Sequence, residues 1–287
     1  MTLGFPSITK IAHRDAKRAL REDVGHADLT AGLIDPTQWA SAQVIARESA
    51  VVCGSPWVEA VFGQVDRRIA TTWHVPEGQR CIAGQVVLKA HGPTQSLLTA
   101  ERTALNFLQF LSAVATKTSD FVQIVQTVPA SRTHIVDTRK TLPGLRLAQK
   151  YAVRVGGGIN HRLGLYDAVL IKENHIAAAG GVTSALRRAA TLTTATFIEI
   201  EVETLDQLHE ALEAGATMVL LDNMTPVQWQ EAVQINAGRA VLEVSGGVHL
   251  ADVRAIAAIG IDRISVGALT KDVQSIDFSM RLAVDPP

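Results

Sequence analysis

The spacing of apolar residues in this chain changes near residue 130. From Ser7 onward Ile8, Ile11, Ala12, Ala19 and Leu20 recur at helical spacing, with Ser7 available as an N-cap. This predicts a helix that stops near Val24-Gly25. Residues 41–53 (SAQVIARESAVVC), 69–75 (IATTWHV) and 85–91 (QVVLKAH) are strand-like runs between turn residues, and a short helix is expected after Pro56. From Ser96, SLLTAERTALNFLQFLSAVATKTSDFVQIV predicts one long helix or a broken pair. The region as a whole predicts an α+β arrangement, with helices on a mostly antiparallel sheet.

Beyond residue 130, short apolar runs end in a polar residue or a glycine turn, and each is followed by a helix-patterned segment. The runs close at Asp137, Lys172, Glu201, Asp222, Ser245 and Gly267. From Lys172 onward the closing residues recur every 21 to 29 positions (172, 201, 222, 245, 267), which is the room one strand, one turn and one helix need. Strands alternating with helices imply a parallel sheet, and six such units predict a closed or nearly closed barrel.

In such a barrel the site is assembled from the loops at the C-terminal ends of the strands. The closing residues would therefore share one rim. Arg139-Lys140 in DTRKTLPG, His161-Arg162 in GGGINHRLG and Lys172 in LIKENH follow one another on that rim. Arginine donates two parallel hydrogen bonds to a carboxylate, and lysine supplies a compact charge. So many neighbouring cations predict a small ligand with several carboxylates or phosphates. Arg139 and Lys140 are adjacent, so they are expected to point to different sides and touch different groups.

The glycines of GGG at 156–158 allow a tight turn and close approach by a ligand. Ser245-Gly246-Gly247 and Ser265-Val266-Gly267 each follow a strand. The first precedes the helix-like HLADVRAIAAI, and two adjacent glycine turns on the last strands match a barrel phosphate site. Glu201 and Asp222 are the acids of the rim, suited to holding Mg²⁺, bonding sugar hydroxyls or acid–base work. Glu199, Glu201 and Glu203 alternate in EIEVE, so they are expected on one face, balanced by Lys172 and its neighbours.

Composition narrows the reading. The 287 residues are 47% hydrophobic and 19% charged, enough for a sizeable core and one or two domains. A net charge of −1 argues against a general nucleic-acid binder, although residues 132–172 hold eight Lys/Arg against Asp137 and Asp167 alone. Cys53 and Cys81 have no metal spacing and are expected as reduced thiols of a cytoplasmic protein. No apolar stretch of about 18 residues occurs, so no membrane span is expected. P-loop, GxSxG and strand-linked GxGxxG motifs are missing, as is any His/Cys set with zinc spacing.

Ordered blocks along nearly the whole chain resemble the quinolinate phosphoribosyltransferase family. They are REDVGHADLT (21–30), ERTALNFLQFLSAVAT (101–116), DTRKTLPGLR (137–146), KYAVRVGGGINHRLGLYDAVLIKENHI (150–176), EIEVETLDQL (199–208), MVLLDNM (218–224), EVSGGV (243–248) and RISVGALT (263–270). The resemblance implies an N-terminal α/β sandwich over residues 1–115, joined by the C-terminal segment 271–287, and an incomplete α/β barrel over residues 116–270. It also implies a homodimer in which Arg102 reaches the neighbour's site. Arg139, His161, Arg162 and Lys172 would surround quinolinate. Thr138, Lys140, the turns 245–247 and 265–267, and the acids Glu201 and Asp222 would handle phosphoribosyl pyrophosphate with Mg²⁺. Lys140, Glu201 and Asp222 would be the catalytic set. Ala113, Glu173 and Lys271 depart from the family pattern, and none is a ligand by this reading.

Two rival readings use the same residues. A relative of the same fold, acting on another pyridine carboxylate or associated with molybdenum, would need fewer cations than Lys172 and NHR provide. A barrel aldolase or isomerase would use Lys172 as a Schiff base, which requires a neutral amine.

Overall fold

The computed structural model describes residues 5–285. Its helices are α1 (Ile8–Asp23), α2 (Ser55–Val65), α3 (Thr94–Gln126), α4 (Arg146–Val155), α5 (Glu173–Ala179), α6 (Val182–Ala189), α7 (Leu205–Glu213), α8 (Pro226–Asn236), α9 (Val253–Ile259) and α10 (Ala268–Lys271). Strands β1 (Trp39–Ala46), β2 (Ala50–Val51), β3 (Ala70–Trp73), β4 (Arg80–Cys81) and β5 (Val86–Pro93) precede α3. Strands β6 (His134–Val136), β7 (Val169–Ile171), β8 (Ile198–Val202), β9 (Met218–Asp222), β10 (Val241–Ser245), β11 (Arg263–Ser265) and β12 (Phe278–Val284) follow it.

Two compact units form. One comprises Phe5–Ser119, Leu142–Gly157 and the chain from Asp272, so it includes α4 and β12; the other comprises Asp120–Thr141 and Gly158–Lys271. The outermost residues of the expected domain spans, 1–4 and 286–287, lie outside the described residues.

In the first unit an antiparallel sheet runs β12-β1-β5-β3. Along β1 exposed and buried positions alternate, the period-two signature of a half-buried strand. The C-terminal strand β12 lies along β1 from Ala40↔Val284 to Ala46↔Phe278. Helix α1 buries Ile11, Ala12, Asp15 and Ala16, one stripe at helical spacing. Helix α3 is a single helix of 33 residues, which settles the choice between one helix and a broken pair. It buries Leu97, Ala104, Leu108, Leu111 and Ala115. Each fully buried leucine there contributes about 1.5–3 kcal/mol. Gly156, at the C-terminal end of α4, is a packing glycine: a Cβ there would strike the Ala115 carbonyl oxygen of α3.

The expected strand 41–53 is instead two strands in different sheets. Between them the Arg47 N–H donates to the Asp277 carbonyl at 2.9 Å, and Glu48 accepts from the Asp277 N–H at 2.9 Å. These polar residues hold the returning C-terminal segment and so leave the ladder. Cys53 and Cys81 are both buried and free.

The second unit is a parallel sheet in the order β6-β11-β10-β9-β8-β7. β6 and β7 are its edges and do not pair among the described residues, so the sheet is an open α/β arrangement and not a closed barrel. One isolated parallel bridge, Val136↔Ile159, hangs the following loop on β6. Register stacks the inner side chains in layers. Glu201, Leu220, Glu243 and Arg263 are successive partners across β8, β9, β10 and β11. Asp222 pairs with Ser245, one pleat nearer the strand ends. No helix among the described residues is long and apolar enough to cross a membrane.

Candidate active site

A cavity of about 160 Å³ opens at the strand ends of the second unit. Thr138, Arg139, Lys140, His161, Arg162, Lys172, Glu201, Ser245 and Ser265 line it, all read from the sequence as site residues. Leu170, Leu220 and Glu243 complete the lining. Asp222, the last residue of β9, lies outside this lining, as do Gly246, Gly247, Val266 and Gly267, which follow the lining residues Ser245 and Ser265. Arg102 is exposed on α3, in the first unit.

The cations stand where strands stop. After β6, Asp137 is fully buried and accepts from the His161 N–H at 2.9 Å and from Asn160 Nδ2 at 2.7 Å. One strand-end carboxylate thus holds the loop that bears His161 and Arg162. Asp167 closes that loop by accepting from the Leu163 and Gly164 N–H groups at 2.7 and 2.9 Å. Arg162 is 9% exposed and donates through Nη1 to the Ala168 carbonyl at 3.4 Å. Burial, and then the charge of Arg139, lower its pKa from the ordinary arginine value. An anion between the two guanidiniums would relieve that repulsion.

Lys140 turns toward the last strand. A Cβ on Gly267 would sit 3.1 Å from Lys140 Cδ and 3.6 Å from Thr138 Oγ1. Thr138 Oγ1 accepts from the Lys140 N–H at 3.1 Å, and the Lys140 carbonyl accepts from Thr270 Oγ1 at 2.7 Å. Arg139 and Lys140 line the same cavity, while Lys140 lies against the 265–267 turn.

The acids form two groups. Glu201 Oε2 accepts from Lys172 Nζ at 2.7 Å, an ion pair across neighbouring strand ends. Asp222 Oδ2 accepts from Asn223 Nδ2 at 2.8 Å. Deeper lie Glu199 and Glu243, both fully buried, with His161 between them. His161 Nε2 is 2.7 Å from Glu199 Oε2 and 3.7 Å from Glu243 Oε1, while Arg263 Nε is 2.8 Å from Glu243 Oε2. Burial pushes Glu199 up to about 7 and does the same to Glu243, whose rise Glu199's charge reinforces.

Two expectations need correcting. Glu203 does not share the face of Glu199 and Glu201: β8 ends at Val202, and Glu203 is exposed with its N–H bonded to Gln207. The 245–247 turn does not lead straight into a helix, because α9 starts only at Val253. The turn offers its own backbone, with Gly246 at φ +98°. Gly267, in contrast, directly precedes α10.

Glu243 and Arg263 were not anticipated. Both are charged residues within short apolar strands, two positions before the strand-end residues Ser245 and Ser265. Period two places them on the inner face, and that was the available signal.

Comparison with known proteins follows this geometry. The profile described as "Quinolinate phosphoribosyl transferase, N-terminal domain" matches residues 28–112, and the corresponding C-terminal-domain profile matches residues 114–281. The "Nicotinate-nucleotide pyrophosphorylase [carboxylating]" of Mycobacterium leprae (strain TN) is 41% identical over 281 residues, covering 94% of this chain and 97% of that one. The "Probable nicotinate-nucleotide pyrophosphorylase [carboxylating]" of Bacillus subtilis (strain 168) is 38% identical over 260 residues, covering 90% and 89%. The solved structure of the nicotinate-nucleotide pyrophosphorylase from Francisella tularensis superposes with a TM-score of 0.92 at 42% identity, over 97% of this chain and 98% of that chain.

Proposed function

The chain belongs to the quinolinate phosphoribosyltransferase family, and from that premise we propose that it transfers the phosphoribosyl group of phosphoribosyl pyrophosphate to quinolinate. The transfer proceeds with decarboxylation. The products are nicotinate mononucleotide, pyrophosphate and CO₂, a step of de novo NAD biosynthesis. The observation that carries this reading is one cavity whose lining holds Arg139, Arg162 and Lys172 together with Lys140 and the strand-end serines Ser245 and Ser265. One substrate carries two adjacent carboxylates, and the other carries a phosphate and a pyrophosphate.

Arg139, Arg162 and Lys172 would hold the two carboxylates and orient the pyridine nitrogen toward the ribose. That nitrogen attacks the anomeric carbon as the bond to pyrophosphate breaks, and the departing oxygen takes the electron pair. Negative charge grows on pyrophosphate, where Lys140 and the backbone of the 245–247 and 265–267 turns would receive it. Positive charge grows on the sugar, which Glu201 and Asp222 would face. The ring is then a pyridinium, able to accept the electron pair released when the C2 carboxylate leaves as CO₂. A proton replaces it at C2.

Glu201 and Asp222 suit Mg²⁺ by donor type: both are carboxylates, and this ion is usually held by one or two carboxylates plus substrate phosphates. When bound there, it would neutralise pyrophosphate oxygens. The same reading makes the protein a cytoplasmic homodimer in which Arg102 enters the partner's site.

Incubation with quinolinate, phosphoribosyl pyrophosphate and Mg²⁺ tests the proposal by following CO₂ and nucleotide together. Both should appear in equal amounts. Nucleotide formed from nicotinate but not from quinolinate would assign the chain to a nicotinate-specific relative and refute the proposal.

A further inference from the structure

At the cavity wall His161 and Glu243, with Glu199 behind them, bring candidate ligand atoms within 4.8 Å of one another, all three residues being buried. Such a trio invites assignment as a metal site. The hydrogen-bond geometry argues for something else. At 2.7 Å, His161 Nε2 and a carboxylate oxygen of Glu199 need a proton between them, because two facing lone pairs would repel. Across the ring, Nδ1 lies 2.8 Å from the Arg162 backbone N–H. A backbone amide only donates, so Nδ1 must present a lone pair. The ring therefore carries its hydrogen on Nε2, and protein groups engage both ring nitrogens. The cation beside Glu243 is already supplied, by Arg263 at 2.8 Å.

The arrangement also fixes where Arg162 begins. Asp137 holds the His161 N–H, His161 Nδ1 holds the Arg162 N–H, and Glu199 holds the far side of the ring. Asp137 follows β6 and Glu199 lies in β8, so the loop between the sheet's two ends is tied from both directions. Turning the imidazole over would break both ring bonds at once. Glu199 itself does not line the cavity, whereas the Arg162 side chain does.

We propose that Glu199 is a positioning residue of the pyridine-carboxylate subsite, locking His161 in its Nε2–H tautomer so that Nδ1 fixes the Arg162 backbone and aims the guanidinium at the substrate. His161 then acts as a strut in the cavity wall, its two ring nitrogens held by Glu199 and the Arg162 N–H and not by the ligand. The assignment of the subsite's ligand rests on the transferase reading above, while the lock on the ring does not.

Glu199→Gln and Glu199→Leu, with Glu203→Gln as an exposed control, separate these roles. ¹⁵N NMR of histidine-labelled wild-type protein should show one ring with Nδ1 unprotonated and Nε2–H slow to exchange. Glutamine can still accept through its carbonyl oxygen, so Glu199→Gln should keep that signature and change KM for quinolinate by less than about threefold. Glu199→Leu should lose it and raise KM for quinolinate more than about tenfold, with KM for phosphoribosyl pyrophosphate unchanged. Equal rises in both constants, loss of the signature in Glu199→Gln, a wild-type ring protonated on Nδ1, or a stoichiometric divalent metal bound at His161 would each overturn the proposal. If Glu199→Leu does not fold, the glutamine variant and the wild-type spectrum still decide. A chain inactive on quinolinate would refute the transferase reading instead, and the spectrum would still test the lock.

Discussion

Lys172 and Glu201 meet across the ends of two adjacent strands, with Nζ 2.7 Å from Oε2. The amine is engaged as a donor, which is not how a Schiff-base nucleophile is presented. Borohydride with a carbonyl substrate should therefore leave Lys172 unmodified. Lys172→Met keeps the length of the side chain but removes a cation of the proposed carboxylate subsite. It should lower kcat/KM for quinolinate by roughly 10²-fold or more, since charge-assisted bonds are the strong ones. Covalent capture at Lys172, or a variant of near-normal efficiency, would count against its assigned role.

Gly246 and Asn223 occupy one crowded corner. Gly246 has φ +98°, and a Cβ there would run into Asn223 Oδ1, with the Asn223 N only 3.1 Å away. Asn223 has φ +53° and also bonds Asp222, so little can yield without moving the rim acid. Gly246→Ala should raise KM for phosphoribosyl pyrophosphate about tenfold or more and leave KM for quinolinate unchanged, strain of this kind costing on the order of 1–3 kcal/mol. Gly247 supplies the control. Its φ of +61° is open to asparagine, and a Cβ there would meet nothing within 4 Å. Gly247→Asn should bind nearly normally; matching losses in the two variants would show that the turn does not depend on this corner.

What the sequence disclosed and what it hid share one physical origin. The closing residue of each apolar run was readable, because a polar side chain after a buried strand marks the rim. Three of those closing residues, Lys172, Glu201 and Ser245, line one cavity, joined by Thr138, Arg139, Lys140, His161, Arg162 and Ser265 from the adjoining motifs. Glu243 and Arg263 escaped because each sits inside a strand, where the eye expects apolar residues; only strand register shows that they face each other. Period two does not extend to Glu203, because β8 ends at Val202. The gap between the 245–247 turn and α9 was invisible because His249 and Asp252 read as helix. Instead the His249 N–H donates to the Asp252 carboxylate at 2.9 Å, which closes a turn.

Burial of Glu243 ties stability to pH. Its folded pKa, about 7, lies above the ordinary 4.5. Between those values the folded protein holds a proton that the unfolded chain has released, so this group's contribution falls as pH rises from 4.5 to about 7 and is level above that. Glu199, His161, Arg263 and Ser265 face the group; Arg263 and His161 favour its charged form, and Glu199 opposes it. Urea unfolding at pH 5 and pH 8 should show a drop in wild-type stability that is smaller in Glu243→Gln, by up to about 3 kcal/mol. An equal drop in both proteins would mean that the carboxylate stays charged throughout.

Arg102 offers a test of assembly that needs no structure of a dimer. It is exposed on α3, far along the chain from the cavity residues, and the proposed homodimer gives it the neighbour's site to complete. Arg102→Ala and Lys172→Ala should each be nearly inactive alone. After subunits are exchanged by mild denaturation and refolding, half of the dimers are mixed. If Arg102 acts across the interface, each mixed dimer has one site with both defects and one with none. Activity should then recover to about a quarter of the wild-type value, an amount that two-fold symmetry sets. If Arg102 serves its own subunit, every site keeps one defect and exchange restores nothing. Recovery well below a quarter, with mixed dimers verified by mass spectrometry, would rule out the shared site.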